Sequence, residues 1–346
     1  MKRIAFFQTD LNYGGIQKSL INVLNSMDYK NNSVDLYLVN KDNVFDNVIP
    51  KSVNVHYIKK CNYLTRLIPF KIFHKFYKCN IDKEYDIAID FNGYSNEVSS
   101  AVIKTKALKK IIWTHNDYLN KQKGEIKFKI LFNLSKSKFN YFDEIVYVSE
   151  GVKESFNKLI DTSEKEEKMI PNMINTDEIF SKKDEDNNIE VDPNVINLCS
   201  VGRLVYQKNF ASLINKFNEV IAKNNKFHLY IIGDGKLRSS LERQVNNLRL
   251  NDYITFLGYQ KNPFSIINKM DAFVLNSHYE GQGMVILEAA SLGLDVIIPK
   301  TLEKYIEGIK GYDDIVEPIL NLKKHEHKLD DLKEYNMSII EEINNL

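Results

Sequence analysis

The sequence predicts an α/β protein made of two doubly wound parallel-sheet domains facing each other across a cleft. Three observations carry that expectation. Short apolar runs rich in Ile, Val, Phe and Tyr alternate with amphipathic stretches; the alternation stops at a charged segment, 177–192, and then restarts; and 346 residues suit two domains at roughly 100–200 residues each. In the first half the runs are 3–7, 34–39, 53–58, 86–90, 110–114 and 144–148. Strands of a parallel sheet covered on both faces read as such nearly continuous apolar runs, and the amphipathic stretches between them supply the covering helices. In the second half the runs are 195–201, 227–232, 253–257, 272–275 and 295–299. A single sheet of more than ten strands is the alternative; open sheets seldom exceed about 10 strands. The expected domains are therefore 1–175 and 176–330. Residues 331–346, apolar at helical spacing from Leu332 on, would form a closing helix that packs back on the first domain.

With 43% hydrophobic and 27% charged residues, the chain has enough apolar material for two cores, which excludes disorder and collagen-like repeats. A net charge of +1 gives no support to a nucleic acid as main partner. The charge is nevertheless split: residues 1–175 hold 27 Lys+Arg against 20 Asp+Glu, whereas residues 176–346 hold 20 against 26. The first half is thus where an anionic surface or substrate is expected. Cys61, Cys79 and Cys199 are too few and too scattered for a disulfide framework or a zinc site, which fits a reducing cytoplasm. No apolar run reaches the roughly 18–20 residues of a spanning helix, and the first one is too short for a signal peptide. Any membrane would be met from outside.

In doubly wound sheets ligands bind beyond the carboxyl ends of the strands, so the residues that follow each strand matter most. Gly14-Gly15 follows the first strand and opens a helix over 16–27. Adjacent glycines let a ligand approach the backbone and offer N–H groups to a phosphate, although such a pair alone is more often a plain turn. After the run 195–201 stand Gly202, Arg203 and, five residues on, Lys208 at the start of the next helix. Two fixed cations at a strand end suit a diphosphate, and a cation opposing the helix dipole is less comfortable as mere surface charge.

The segment 276–290 is the most informative. A loop with Glu280, Gly281 and Gly283 runs into an apolar helix that carries Glu288. At about 100° per residue the two carboxylates would not share a helix face, so Glu280 acts from the loop and Glu288 from about a turn deeper. Carboxylates beside free helix N–H groups grip sugar hydroxyls, which both donate and accept; Glu288 as a capping or surface residue is the alternative.

Glu280 and Glu288 stand in the Glu-x7-Glu arrangement of retaining glycosyltransferases of family 4, the glycosyl transferases group 1, which have the two-Rossmann GT-B fold. Gly-Arg-Leu at 202–204 with Lys208, Gly233-Asp234-Gly235, Phe256-Leu257-Gly258, Pro171-Asn172 and Ser149-Glu150 follow the order of that family, and the chain resembles it most closely over 195–298. The resemblance implies that Arg203 and Lys208 bind the nucleotide diphosphate with the Gly14-Gly15 backbone. It implies that Glu288 accepts the ribose hydroxyls and that Gly258-Tyr259 lie beside the base. Glu280 and the backbone of Gly283, Met284 and Val285 would then hold the donor sugar. His115, ending the strand 111–114, resembles the family's histidine near the reacting side of the sugar; a lone His is otherwise more often structural.

The implied reaction is transfer of a hexosyl group with retention and without a cofactor or metal, the two cations doing the work Mg²⁺ does elsewhere. The partners implied are a nucleotide sugar, UDP-linked by expectation, and a glycan, lipid-linked or cell-wall polymer acceptor of bacterial surface polysaccharide or teichoic acid assembly. The rival is a non-catalytic glycosyltransferase-like subunit that binds glycan or stabilises an active partner. The chain departs from the family pattern after 295–299, where Pro299-Lys300-Thr301 replaces an Asp and a Gly-Gly loop.

Two basic, aromatic stretches lie in the half expected to hold the acceptor. Residues 51–80 carry seven Lys+Arg and no acid, and within them 67–78 interleaves Phe70, Ile72, Phe73 and Phe76 with Lys71, Lys75 and Lys78. Residues 121–138 hold six lysines against Glu125. Either these dock on an anionic membrane, or they are helices with apolar faces inward and lysines solvated.

Overall fold

The computed structural model describes residues 1–12, 14–41 and 48–346. Chain contacts divide it into two units, Met1–Met173 with Lys333–Leu346, and Ile174–Leu332. In the first, the strands are β1 (Lys2–Gln8), β2 (Asn32–Leu38), β3 (Val53–Tyr57), β4 (Glu84–Asp90), β5 (Lys106–Thr114), β6 (Glu144–Tyr147) and β7 (Glu166–Met169). They form one parallel sheet in the order β3-β2-β1-β4-β5-β6-β7. In the second unit β8 (Ile196–Val201), β9 (Phe227–Ile232), β10 (Ile254–Gly258), β11 (Ala272–Val274) and β12 (Asp295–Ile297) form a parallel sheet in the order β10-β9-β8-β11-β12. Both are doubly wound α/β domains. Strand order reverses between β1 and β4 in one sheet and between β8 and β11 in the other, and crevices at such switch points are where these folds bind ligands.

The apolar runs became strands because both faces of the central strands are covered: Ile4 to Gln8 of β1 and Leu198 to Ser200 of β8 are all buried. The helix Phe210–Lys223 shows the complementary pattern, burying Phe210, Leu213, Ile214, Phe217 and Val220 at helical spacing against Leu198, Leu229 and Ile231 of the sheet. Each such side chain contributes roughly 1.5–3 kcal/mol of transfer free energy.

One strand escaped the sequence. β7 reads Glu-Glu-Lys-Met, pairs only with β6 at the sheet edge, and so has no apolar run to betray it. Its Glu167 instead accepts a hydrogen bond of 2.9 Å from the hydroxyl of Tyr147 on β6.

The helix Lys333–Asn344 belongs to the first unit and buries Ile339 and Ile343 there. The Tyr335 hydroxyl donates to the Asn172 carbonyl at 3.0 Å, and Asn344 Oδ1 accepts from the Asp28 N–H at 3.3 Å.

Candidate functional site

At the second sheet's switch point the loop after β8 meets the loop after β11. Lys208 does not begin the long helix: it ends a 3-10 turn, Tyr206–Lys208, and Asn209 at φ 51° separates that turn from the helix Phe210–Lys223. This corrects the dipole argument, because the left-handed residue takes Lys208 off the helix axis. The turn instead aims Lys208 at Glu280, with Nζ 2.8 Å from Oε1. Gln207 donates to the Tyr279 carbonyl at 3.1 Å and approaches Glu280 Oε2 at 3.5 Å, while the His278 N–H donates to the Gln207 carbonyl at 2.9 Å. Tyr206 stacks on His278, ring centroids 4.5 Å apart, and burial holds that imidazole below its usual range. Sequence reasoning missed Gln207, although it sits inside the Arg203 to Lys208 motif.

Glycines make this approach possible. A Cβ on Gly202 would press on the Lys208 stem at 3.0 Å, and one on Gly233, at φ 137°, would stand 2.1 Å from the Gly202 carbonyl oxygen. The Gly233 N–H donates in turn to the Gly258 carbonyl at 2.8 Å, so the loops after β8, β9 and β10 are stitched together. Tyr259, beyond β10, is exposed. Arg203 is exposed too, and makes no side-chain hydrogen bond or ion pair among the described residues.

Glu280 is buried in its loop, and Gly283, at φ 70°, starts the helix Met284–Ser291 that carries buried Glu288. Met284 and Val285 lie in its first turn, where N–H groups have no intrahelical acceptor. The atypical segment after β12 forms a 3-10 turn, Lys300–Tyr305, tied back by the Gly311 N–H to Glu303 Oε1 at 2.7 Å. It brings Ile306 to within 3.2 Å of where a Gly283 Cβ would lie, so apolar packing supports the Gly283 loop.

The remaining candidates lie in the first domain. Gly15 begins the helix Gly15–Ser26, and a Cβ there would meet nothing within 4 Å, which leaves open space at the helix start. His115 follows β5 and is buried beside Phe91, ring centroids 4.6 Å apart, and Trp113. Neither ring nitrogen has a hydrogen-bond partner at normal geometry. Burial pushes its pKa down to about 3, only slightly opposed by the nearby Phe91 backbone and Asn172 side chain.

The two basic stretches divide their residues. Phe70, Phe73 and Tyr77, on and just after the helix Phe70–Phe76, point inward, whereas Ile72 and Phe76 are exposed, Phe76 by 72%. Leu64 and Leu67 of the 3-10 turn Tyr63–Leu67 and Ile126 and Ile130 of the helix Ile126–Ser135 are exposed as well. Lys127 lies 5.0 Å over the Tyr63 ring and joins these two elements. Lys138 departs from the expectation of a solvated lysine: it is 1% exposed, because its helical turn packs it against the sheet near Asp90. Among the described residues no helix is long and apolar enough to cross a membrane.

Two parallel-sheet α/β domains define the GT-B fold of glycosyltransferases. Over its whole length the chain resembles the lipopolysaccharide outer core galactosyltransferase WaaB (TM-score 0.63, 18% identity, 96% of that chain covered). It likewise resembles Anabaena HepE, solved with UDP and glucose (TM-score 0.62, 16% identity, 100% of this chain and 93% of that one). Residues 180–334 match the family of glycosyl transferases group 1. An uncharacterised glycosyltransferase of Methanocaldococcus jannaschii is 30% identical over 246 residues, 67% of this chain and 60% of that protein. The lipopolysaccharide core biosynthesis glycosyltransferase LpsD of Rhizobium meliloti is 36% identical over 100 residues, 29% of this chain and 28% of that protein. The matched segments thus span 60% or less of these relatives' own lengths.

Proposed function

We propose that the chain is a retaining, metal-independent glycosyltransferase that moves a hexosyl group from a nucleotide sugar, UDP-linked, to a glycan, lipid-linked or cell-wall polymer acceptor in surface polysaccharide or teichoic acid assembly. The observation that carries this is the Lys208–Glu280 contact at the switch point of the second sheet. A carboxylate has about four acceptor sites; with Lys208 and Gln207 on one side, Glu280 keeps capacity for sugar hydroxyls. Lys208 and exposed Arg203 stabilise the charge that grows on the departing diphosphate, which removes the need for a bound cation. In the reaction the bond from the anomeric carbon to the phosphate oxygen breaks and a bond to the acceptor oxygen forms on the same face. The acceptor's proton passes to the departing phosphate oxygen. Glu288 binds the ribose, Gly258-Tyr259 flank the base, the first-turn N–H groups of Met284 and Val285 face the donor, and Gly14-Gly15 offer backbone to the phosphates. His115, neutral down to low pH, serves as an uncharged neighbour of the sugar. UDP is favoured by the likeness to HepE, which was solved with it.

Exposed Leu64, Leu67, Ile72, Phe76, Ile126 and Ile130 interleaved with lysines favour docking of the first domain on an anionic membrane from the cytoplasmic side. The test of the activity is hydrolysis of a panel of nucleotide sugars without acceptor, followed by proton NMR. Slow release of UDP and a sugar first seen with the donor's anomeric configuration, unaffected by EDTA, is expected. Failure to bind or hydrolyse any nucleotide sugar refutes the reading, and inverted product refutes retention.

A further inference from the structure

Arg238 is a cation of the second domain to which the transfer reaction assigns no role. It opens the helix Arg238–Asn247, just past the Gly233-Asp234-Gly235 turn that follows β9. Two carboxylates hold its guanidinium: Glu242 Oε1 accepts from Nε at 2.8 Å, and Asp234 Oδ2 stands 3.3 Å from Nη1. Asp234 is fixed in turn, since its Oδ1 accepts from the Gly235 N–H at 2.6 Å. The guanidinium thus has a set position, although 34% of the side chain is exposed.

That position is over the loop after β10. Gly258, the last residue of β10, is at φ 70°, and a Cβ there would lie 3.1 Å from Arg238 Nη1. Apart from the chain neighbours of Gly258, no other atom comes within 4 Å of that point. A molecule lying on the bare face of Gly258 therefore meets Arg238. The Gly233 N–H donates to the Gly258 carbonyl at 2.8 Å and the Leu204 N–H to the Asp234 carbonyl at 3.0 Å. Those bonds fix Arg238 relative to Gly258 and to the loop that carries Arg203 and Lys208.

The chemistry of the guanidinium narrows what it recognises. It offers only donors, in a planar fork. Asp234 and Glu242 occupy Nη1 and Nε, whereas the Nη2 N–H groups have no partner among the described residues. With two carboxylates balancing its charge, Arg238 adds little net field at a diphosphate; what it contributes is the direction of its N–H groups. A planar ligand with a carbonyl oxygen at its edge matches them. Nucleobases differ on this point, because keto bases present an oxygen where cytosine and adenine present an amino group, itself a donor. The neighbouring carboxylates already accept from Arg238 and from the Gly235 N–H, so they are engaged rather than offered to such an amino group.

We propose that Arg238 is a specificity-determining residue for the nucleobase of the donor, its Nη2 N–H groups donating to a ring keto oxygen and so favouring uracil over cytosine. The inference rests on the reading of the second domain as the nucleotide-sugar site, in which Gly258-Tyr259 lie beside the base.

Calorimetry with UDP and CDP, on the full chain and on two variants, tests it. The parent should bind UDP about tenfold more tightly than CDP, as a matched base edge allows. Arg238→Ala should weaken UDP binding about tenfold and leave CDP binding unchanged. Arg238→Gln, whose amide presents either a donor or an acceptor, should bind the two nucleotides within about threefold of each other. The glutamine keeps a donor for Asp234 and so answers the question if the alanine variant misfolds. Equal affinity of the parent for UDP and CDP would overturn the assignment while leaving the nucleotide site standing. So would an equal loss of both in Arg238→Ala, or no loss of either. A parent that binds neither nucleotide would refute the UDP-sugar reading itself, and the role of Arg238 with it.

Discussion

Lys208 and Glu280, 72 residues apart in sequence, meet at 2.8 Å with both side chains largely buried. Because each fixes the other's position, they are expected to act as a unit. In a double-mutant cycle, Lys208→Ala and Glu280→Ala should be non-additive in transfer rate by about 0.5–3 kcal/mol, the range for residues in contact. Strict additivity would mean that the pair contributes nothing jointly to the reaction.

Lys208→Ala alone should lower turnover by about two to three orders of magnitude, as for loss of one preorganised electrostatic contact worth ~2.7–4 kcal/mol. Steady-state rates with a saturating nucleotide sugar measure it. A variant turning over like the parent removes Lys208 from the chemistry.

The carboxylates should separate by their effects. A ribose contact is made in ground and transition states alike, so Glu288→Gln should mainly weaken nucleotide binding, whereas Glu280→Gln should depress turnover more than affinity. Calorimetry with UDP decides it, and equal losses of affinity would contradict the division of roles.

His115 ties stability to pH. Its folded pKa, about 3, lies below the usual 6.5, so between those values the unfolded chain binds more protons and stability falls as pH drops. The slope from this one group reaches at most about 1.4 kcal/mol per pH unit. Trp113, the sole tryptophan, lies beside it and reports unfolding of the first domain by fluorescence. His115→Leu should lose less stability than the parent between pH 6.5 and 4; parallel curves would exclude His115 as the source.

Gly233→Ala should destabilise the second domain by at least about 1–3 kcal/mol, because the new Cβ meets the Gly202 carbonyl oxygen and the backbone conformation disfavours a side chain. Denaturant unfolding would show it, together with weaker nucleotide binding from the displaced Gly202 to Lys208 loop. A neutral substitution would mean that the loops separate without cost.

Vesicle cosedimentation addresses the membrane surface. Binding that requires anionic lipid and falls with salt is expected, weakened about fivefold per lysine by Lys71→Glu and Lys75→Glu, and weakened also by Phe76→Asp. A protein that stays in solution with anionic vesicles at low salt has no such surface.

The chain's own order of residues determined its two α/β domains, because covered strands must be apolar along their whole length and helices on one side only. Periodicity therefore announced β1 to β6 and β8 to β12 without any knowledge of contacts. It was silent on β7, whose edge position demands no apolar run, and on the 3-10 turn that carries Lys208, because Asn209 adopts its left-handed conformation without a glycine to mark it. Motif spacing placed Arg203, Lys208, Glu280 and Glu288 after strand ends. Which of them touch was decided by strand order: β8 and β11 are far apart in sequence and adjacent in the sheet, so their loops converge and Lys208 reaches Glu280 while Arg203 stays exposed. The same physics governs the first domain. Phe70 and Phe76 belong to one basic, aromatic segment, and only the packing of its helix makes one a core residue and the other a surface one; likewise Lys138 resembles its five neighbouring lysines until the fold buries it beside Asp90. Local pattern is a property of the chain, whereas burial and pairing are properties of what the fold brings next to it.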